Sequence, residues 1–319
     1  VVNTVSETIA EVREMGDAAL YDLTERFDGV QLESLTASSE AGAIALSSLP
    51  DDLRKALVVA EAAVRKHHEK ELRSSRETFD RGLRIRTLRR PVARAGCYVP
   101  GGRASYPSTV LMTAVVARVA GVDKVTVCVP PDEGGRVSNT TLAATEVAGV
   151  DTVHPVGGVQ AIAAMAYGTE SVGKVDVIVG PGNVYVALAK QQVAGAVRVP
   201  SAFTGPSEVV VLADGTAPAE FIATDLVAQA EHGPDGISWL VTWDGAVGDA
   251  VDLALEVVLQ ETSRGDEIAA TLASKGRCVL VDSEQQALDV VDAIAPEHLQ
   301  LMVSTPETLA ERVRNAGAV

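Results

Sequence analysis

The chain has 319 residues, 47% hydrophobic, 22% charged and only 3% aromatic, with a net charge of −16. That length suggests two domains with a sizeable core. The acidic balance argues against nucleic acid and anionic membrane surfaces as partners, and no apolar run reaches the roughly 18 residues of a membrane span.

Apolar residues Val5, Ile9, Val12, Leu20, Leu23 and Phe27 give residues 4–27 a helical rhythm, which Asp28-Gly29 ends. A second helix is predicted from Pro50 to about Lys70, with Leu53, Leu57, Ala60, Val64 and His68 roughly on one face. His67 and His68 at its end read as surface or capping residues rather than ligands. Leu83, Ile85 and Thr87 alternate with arginines, which predicts an exposed strand with a basic face. No aromatic residues interleave there, so pairing with the chain's own carboxylates is simpler than a nucleic-acid patch.

From residue 97 the pattern changes to repeated strand–loop–helix units. Strands are predicted at 97–99, 125–129, 153–156 and 176–179, with helices over 108–119, 140–147, 160–167 and up to Val193. A second series follows, with strands at 208–212, 237–242, 278–281 and 298–303 and helices over 218–229, 249–262, 283–294 and 306–316. This alternation predicts an α/β fold with parallel sheets. Cys97, Cys128 and Cys278 fit no closed disulfide framework. Cys128 and Cys278 read as core thiols, and the compartment as reducing and cytoplasmic. No secretory signal opens the chain. Residue 1 is Val, and Ala318-Val319 opens a strand-like segment at the end. The sequence is therefore expected to be part of a longer chain.

Three glycine-bearing loops follow strands of the first series: Pro100-Gly101-Gly102, Gly157-Gly158 and Gly180-Pro181-Gly182-Asn183. Loops at the carboxyl ends of parallel strands line ligand crevices, and glycines there let backbone amides approach a phosphate. None matches GxGxxG, and each alone can be a plain turn. Thr204-Gly205-Pro206-Ser207-Glu208 joins the two series, where Ser207 can meet a substrate or simply close a turn. Gln229 and His232, three apart, would share one helix face and could hold a metal ion, or cap the helix before Gly233-Pro234. Glu297-His298 pairs a carboxylate with an imidazole, a proton acceptor beside a second base.

The runs Gly96-Cys97-Tyr98-Val99-Pro100-Gly101-Gly102, Tyr106-Pro107-Ser108-Thr109, Gly157-Gly158-Val159-Gln160, Gly180-Pro181-Gly182-Asn183, Gly205-Pro206-Ser207-Glu208, Gln229-Ala230-Glu231-His232-Gly233 and Pro296-Glu297-His298-Leu299 resemble histidinol dehydrogenase. They occur in collinear order along the whole chain. The resemblance implies two incomplete Rossmann-like domains with helices on both faces of parallel sheets, plus N-terminal helices. It places a discontinuous domain at 1–97 with 207–319 and an inserted domain at 98–206. It implies oxidation of L-histidinol through the aldehyde to L-histidine, with NAD and zinc, by a homodimer. On the matching positions Tyr98, Gln160 and Asn183 would contact NAD, and Ser207 the substrate. Gln229 and His232 would ligate zinc and through it the substrate. Glu297 and His298 would be the catalytic pair, with His298 also touching substrate. The family places an Asp zinc ligand, and a Glu and a His that complete the site, beyond Val319. Thr204 stands where the family usually has Ala. Two rival readings remain: a relative acting on another polar amino or sulfonated alcohol, and a non-catalytic nucleotide-binding protein if the natural chain ends at Val319.

Overall fold

A computed structural model describes residues 1–101, 104–200, 207–233 and 236–319. Gly102, Thr204, Gly205, Pro206 and Pro234, singled out above, lie outside the described residues. The chain packs as two compact units, Val1–Thr204 and Gly205–Val319. No helix among the described residues is long and apolar enough to cross a membrane.

The first unit opens with α1 (Val2–Met15), α2 (Asp17–Asp28), α3 (Ala41–Ser48) and α4 (Asp51–Glu71). The predicted 4–27 helix is two helices, because Gly16 breaks it with a φ of 58°. An antiparallel hairpin follows, β1 (Arg76–Asp80) with β2 (Leu83–Thr87), and nearly all of its residues are exposed. Then come β3 (Arg94–Tyr98) and a helical run of α5 (Pro107–Val110), a π-helical turn (Leu111–Val115) and α6 (Val116–Val119). β4 (Lys124–Cys128), α7 (Asn139–Ala148), β5 (Thr152–His154), α8 (Gly158–Tyr167), β6 (Val177–Val179) and α9 (Val184–Val193) complete the unit.

The second unit holds β7 (Glu208–Ala213), α10 (Ala219–Ala230), β8 (Ile237–Thr242), α11 (Gly245–Glu261) and α12 (Gly265–Lys275). It continues with β9 (Arg277–Leu280), α13 (Glu284–Ile294), β10 (His298–Met302) and α14 (Pro306–Ala310). The predicted 306–316 helix therefore stops after five residues. Beyond it Ala318 makes an isolated parallel bridge to His298.

Strand order is β5-β4-β3-β6 in one parallel sheet and β10-β7-β8-β9 in the other. Read from each unit's first strand, both are the order 3-2-1-4, the first four strands of a Rossmann sheet. Side chains alternate across each strand, and the two faces bury separate cores. Cys97, Val99, Val125, Val127 and Val129 join α5 and α7 residues on one face of the first sheet. Tyr98, Cys128 and Ile178 join α1, α8 and α9 residues on the other. In the second sheet Val209, Val211 and Ala213 meet α10 and α11, while Val210 and Leu212 meet α13 and Leu299. Helices thus cover both faces of each sheet, as predicted.

Two expectations change. Residues 1–97 group with 98–204 rather than with 207–319, because β3 is an internal strand of the first sheet and α1 lies against α8 and α9. Cys278 is exposed rather than a core thiol, since β9 is the edge strand of its sheet. Cys97 and Cys128 are buried, and burial pushes their thiols up to about 11 and about 12.

Candidate active site

In the first unit, the loops at the carboxyl ends of all four strands line one cavity of about 1050 Å³. Tyr98, Pro100 and Gly101 follow from β3, Val129 and Pro130 from β4, Gly158 and Gln160 from the β5 side, and Asn183 from β6. β3 has β4 on one side and β6 on the other, so the strand order reverses there, the usual place for a ligand in an open α/β sheet. Tyr98 is buried, and its hydroxyl accepts the Gly158 N–H at 3.1 Å. Burial pushes its phenol up to about 12, tempered by that hydrogen bond. Gln160 is 1% exposed, and its Oε1 has no hydrogen-bond partner among the described residues. A buried acceptor left unpaired is costly, so a ligand donor reaching it would be well rewarded. Asn183 caps α9, its Oδ1 accepting the Tyr185 and Val186 N–H groups at 3.1 Å. The N-termini of α8 and α9 both open on the cavity, which favours negative charge there. Gly180 has a φ of 107°, and a Cβ there would lie 2.0 Å from the Tyr98 carbonyl oxygen. Only glycine lets that loop cross the end of β3.

In the second unit, the predicted residues gather at the opposite ends of the strands. Ser207 precedes β7, and Glu297 precedes β10, where His298 is the first residue. β7 and β10 are parallel neighbours with His298 in register with Val209, so both polar groups emerge at one amino-terminal edge. Ser207 Oγ donates to Gln229 Oε1 at 3.1 Å, and Gln229 Nε2 donates back to the Ser207 carbonyl at 2.8 Å. The Glu208 N–H donates to Glu297 Oε2 at 3.2 Å. The His298 ring lies 3.8 Å from that same oxygen. Glu297 and His298 are about half exposed (51% and 55%), so water and a substrate can both reach this carboxylate–imidazole pair.

His232 departs from expectation. α10 ends at Ala230, and His232 sits in the turn after it, its N–H donating to the Gln229 carbonyl at 3.1 Å. Gln229 is buried while His232 is exposed, so the two do not share one helix face. The i, i+3 spacing continues as a terminal turn rather than another helical turn. The His232 ring is hydrogen-bonded to none of the described residues. Both residues lie at the carboxyl end of α10, where the helix dipole favours a cation. A catalytic zinc takes three protein ligands. Gln229 Oε1 and the His232 ring offer two donor groups, which is short of that number.

Sequence reasoning missed two groups. Lys190 on α9 is buried at 1% exposure, and its amine donates to the Gly180 carbonyl beneath the third glycine loop. Its place on an apolar helix face was the available signal. Glu231, beside His232, pairs with Arg264, which caps α12. Nothing local pointed to that pair, since α12 itself was not expected. The fifth histidine, His154, is structural: it is buried at the end of β5 and hydrogen-bonded to the Leu35 carbonyl at 2.7 Å.

The whole chain, residues 1–319, matches the family model described as histidinol dehydrogenase. A histidinol dehydrogenase from Parasynechococcus marenigrum (strain WH8102) is 46% identical over 316 residues, 99% of this chain and 72% of that protein. One from Methanosarcina barkeri (strain Fusaro / DSM 804) is 42% identical over 321 residues, 100% of this chain and 74% of that protein. The crystal structure of histidinol dehydrogenase from Elizabethkingia anophelis superposes with a TM-score of 0.94 at 34% identity, covering 99% of this chain and 73% of that one.

Proposed function

Because this chain belongs to the histidinol dehydrogenase family, we propose that it carries the nucleotide-binding and proton-transfer groups of an enzyme that oxidises L-histidinol through the aldehyde to L-histidine, with NAD as hydride acceptor and zinc at the substrate. The observation that carries this reading is the meeting of Ser207, Gln229, Glu297 and His298 at the shared edge of β7 and β10. A hydrogen-bonding pair and an acid–base pair lie there together. The reading extends to a homodimer in the cytoplasm.

NAD fits the cavity of the first unit. Its size admits a dinucleotide, two helix N-termini suit a pyrophosphate, and the orphaned Gln160 Oε1 would take a hydrogen bond from a ribose hydroxyl or an exocyclic amine. Tyr98, Gln160 and Asn183 are the residues assigned to it. When bound, NAD accepts the hydride.

The protein's own groups handle protons and position. In the first oxidation the neutral His298 ring takes the hydroxyl proton as the carbon gives up hydride. In the second, the Glu297 carboxylate draws a proton from water as its oxygen adds to the aldehyde carbon. The adduct, the hydrate's monoanion because Glu297 holds the water proton, loses a second hydride and leaves the acid. The Glu208 N–H keeps Glu297 aimed as an acceptor. The Ser207–Gln229 pair sets where a polar substrate group rests. Gln229 and His232 would hold zinc together with at least one further ligand, and the ion would orient the substrate.

Turnover of L-histidinol to NADH tests this. His298→Asn is expected to lose about 10²- to 10⁴-fold in kcat, the usual worth of a general base. Near-wild-type turnover by that variant removes His298 from its role. Turnover of other polar alcohols in preference to L-histidinol would overturn the substrate assignment.

A further inference from the structure

The helix α4 ends in three metal-ligand side chains that the reaction above does not use. His67, His68 and Glu71 place one donor atom each within 4.8 Å of one another. The Glu71 carboxylate already divides between the two rings: Oε2 lies 2.5 Å from His68 Nδ1 and Oε1 lies 3.9 Å from His67 Nε2. The rings meet edge to face at 5.0 Å between centroids. Donors around a tetrahedral zinc bonded at about 2.0–2.1 Å stand roughly 3.4 Å apart, so modest side-chain rotations bring all three onto one ion. His67 and Glu71 are more than half exposed, which leaves the ion an entry path and water a fourth position.

The helix end supplies a second, independent reason. α4 runs 21 residues and leaves its last carbonyls with a partial negative charge. Leu72 follows with φ −59° and ψ 122°, not the left-handed cap that would bond those carbonyls. Positive charge there is therefore favourable, and a chelate spanning residues 67–71 would staple a final turn that no backbone cap holds.

We propose that His67, His68 and Glu71 form a surface site for a borderline divalent cation such as Zn²⁺ or Ni²⁺. Two imidazoles select against Mg²⁺ and Ca²⁺, which take oxygen ligands. The site is made of residues other than Gln229 and His232, and it does not depend on the function proposed above.

Equilibrium dialysis of the metal-stripped full chain against Zn²⁺ alone, near neutral pH, tests it. The wild type is expected to bind one equivalent more than His68→Ala/Glu71→Gln, and one more than His67→Ala. His232→Ala is expected to keep that equivalent. Equal binding by the wild type and both α4 variants, or no Zn²⁺ bound by the wild type, overturns the site. Because His67 and Glu71 are exposed and His68 is only half-buried, circular dichroism of each variant is expected to match the wild type, so a lost equivalent reports ligation rather than unfolding.

Discussion

Lys190 has no carboxylate partner among the described residues, although it is 1% exposed. Its amine donates to the Gly180 carbonyl, and burial lowers its pKa to about 8. An unfolded lysine titrates near 10.4. Between those values the unfolded chain holds more protons than the folded one, so folding is increasingly favoured as pH rises through that window. Below the folded value the burial penalty is present in full. Lys190→Met lacks this dependence. Urea denaturation at pH 7 and at about pH 9.5 should therefore show the wild type gaining stability relative to Lys190→Met at the higher pH. A gap that does not change with pH would mean that the amine is not desolvated. Such a group is hard to find in sequence, because a lysine on a helix is ordinarily solvated. The candidate residues Tyr98, Gln160, Asn183, Ser207, Gln229, Glu297 and His298 stand in motifs that the sequence displays. Their partners are not visible there: the Gly158 N–H on Tyr98 and the Glu208 N–H on Glu297 join residues 60 and 89 positions apart.

Among elements, the strands of the two sheets were legible and the N-terminal helices only partly so. Buried parallel strands are short aliphatic runs closed by glycine or proline, and they read clearly. α3, α12 and β1 were not expected. α3 and α12 are short and rich in alanine, and β1 is Arg-Glu-Thr-Phe-Asp with every residue exposed. β1 is a strand only because β2 folds back on it. α4 was expected to bury one apolar stripe, yet Leu57 is its one buried residue. Asp214 shows how an element's end is fixed. It follows β7 and accepts the Thr216 N–H and hydroxyl at 3.0 and 2.6 Å and the Ser304 N–H, beyond β10, at 2.8 Å. Burial works against its charge, but these hydrogen bonds outweigh it and hold the carboxyl at about 2. A folded pKa below the unfolded one contributes stability above about pH 4, lost as pH falls through the folded value. Asp214→Ala is expected to cost about 1–3 kcal/mol at pH 7. Its denaturation midpoint should approach that of the wild type below about pH 3. A constant difference across that range would show that packing, not charge, is what the alanine removes.

At the scale of the molecule, both units repeat one strand order yet present polar groups at opposite strand ends: carboxyl ends around the cavity of the first, amino ends in the second. Among the described residues, every one that lines the cavity lies between Thr4 and Tyr185. A fragment of residues 1–204 is therefore expected to bind NAD about as tightly as the whole chain while forming no NADH from L-histidinol. Calorimetric titration checks the first expectation, and a fragment with no measurable affinity would place part of the NAD site outside the first unit.

The sequence by itself determined the α/β class, the order of strands in both series with every helix among them except α12, and the motifs that mark the family. Those features are written in local periodicity and in short runs where only glycine, proline or a polar side chain serves. Tertiary structure alone decided that residues 1–97 belong with the first sheet, that Gln229 is buried against Ser207 while His232 is exposed, and that Glu297 reaches the backbone of Glu208. Each depends on which strands become neighbours, and that follows from burying both faces of a sheet at once rather than from any single stretch of chain.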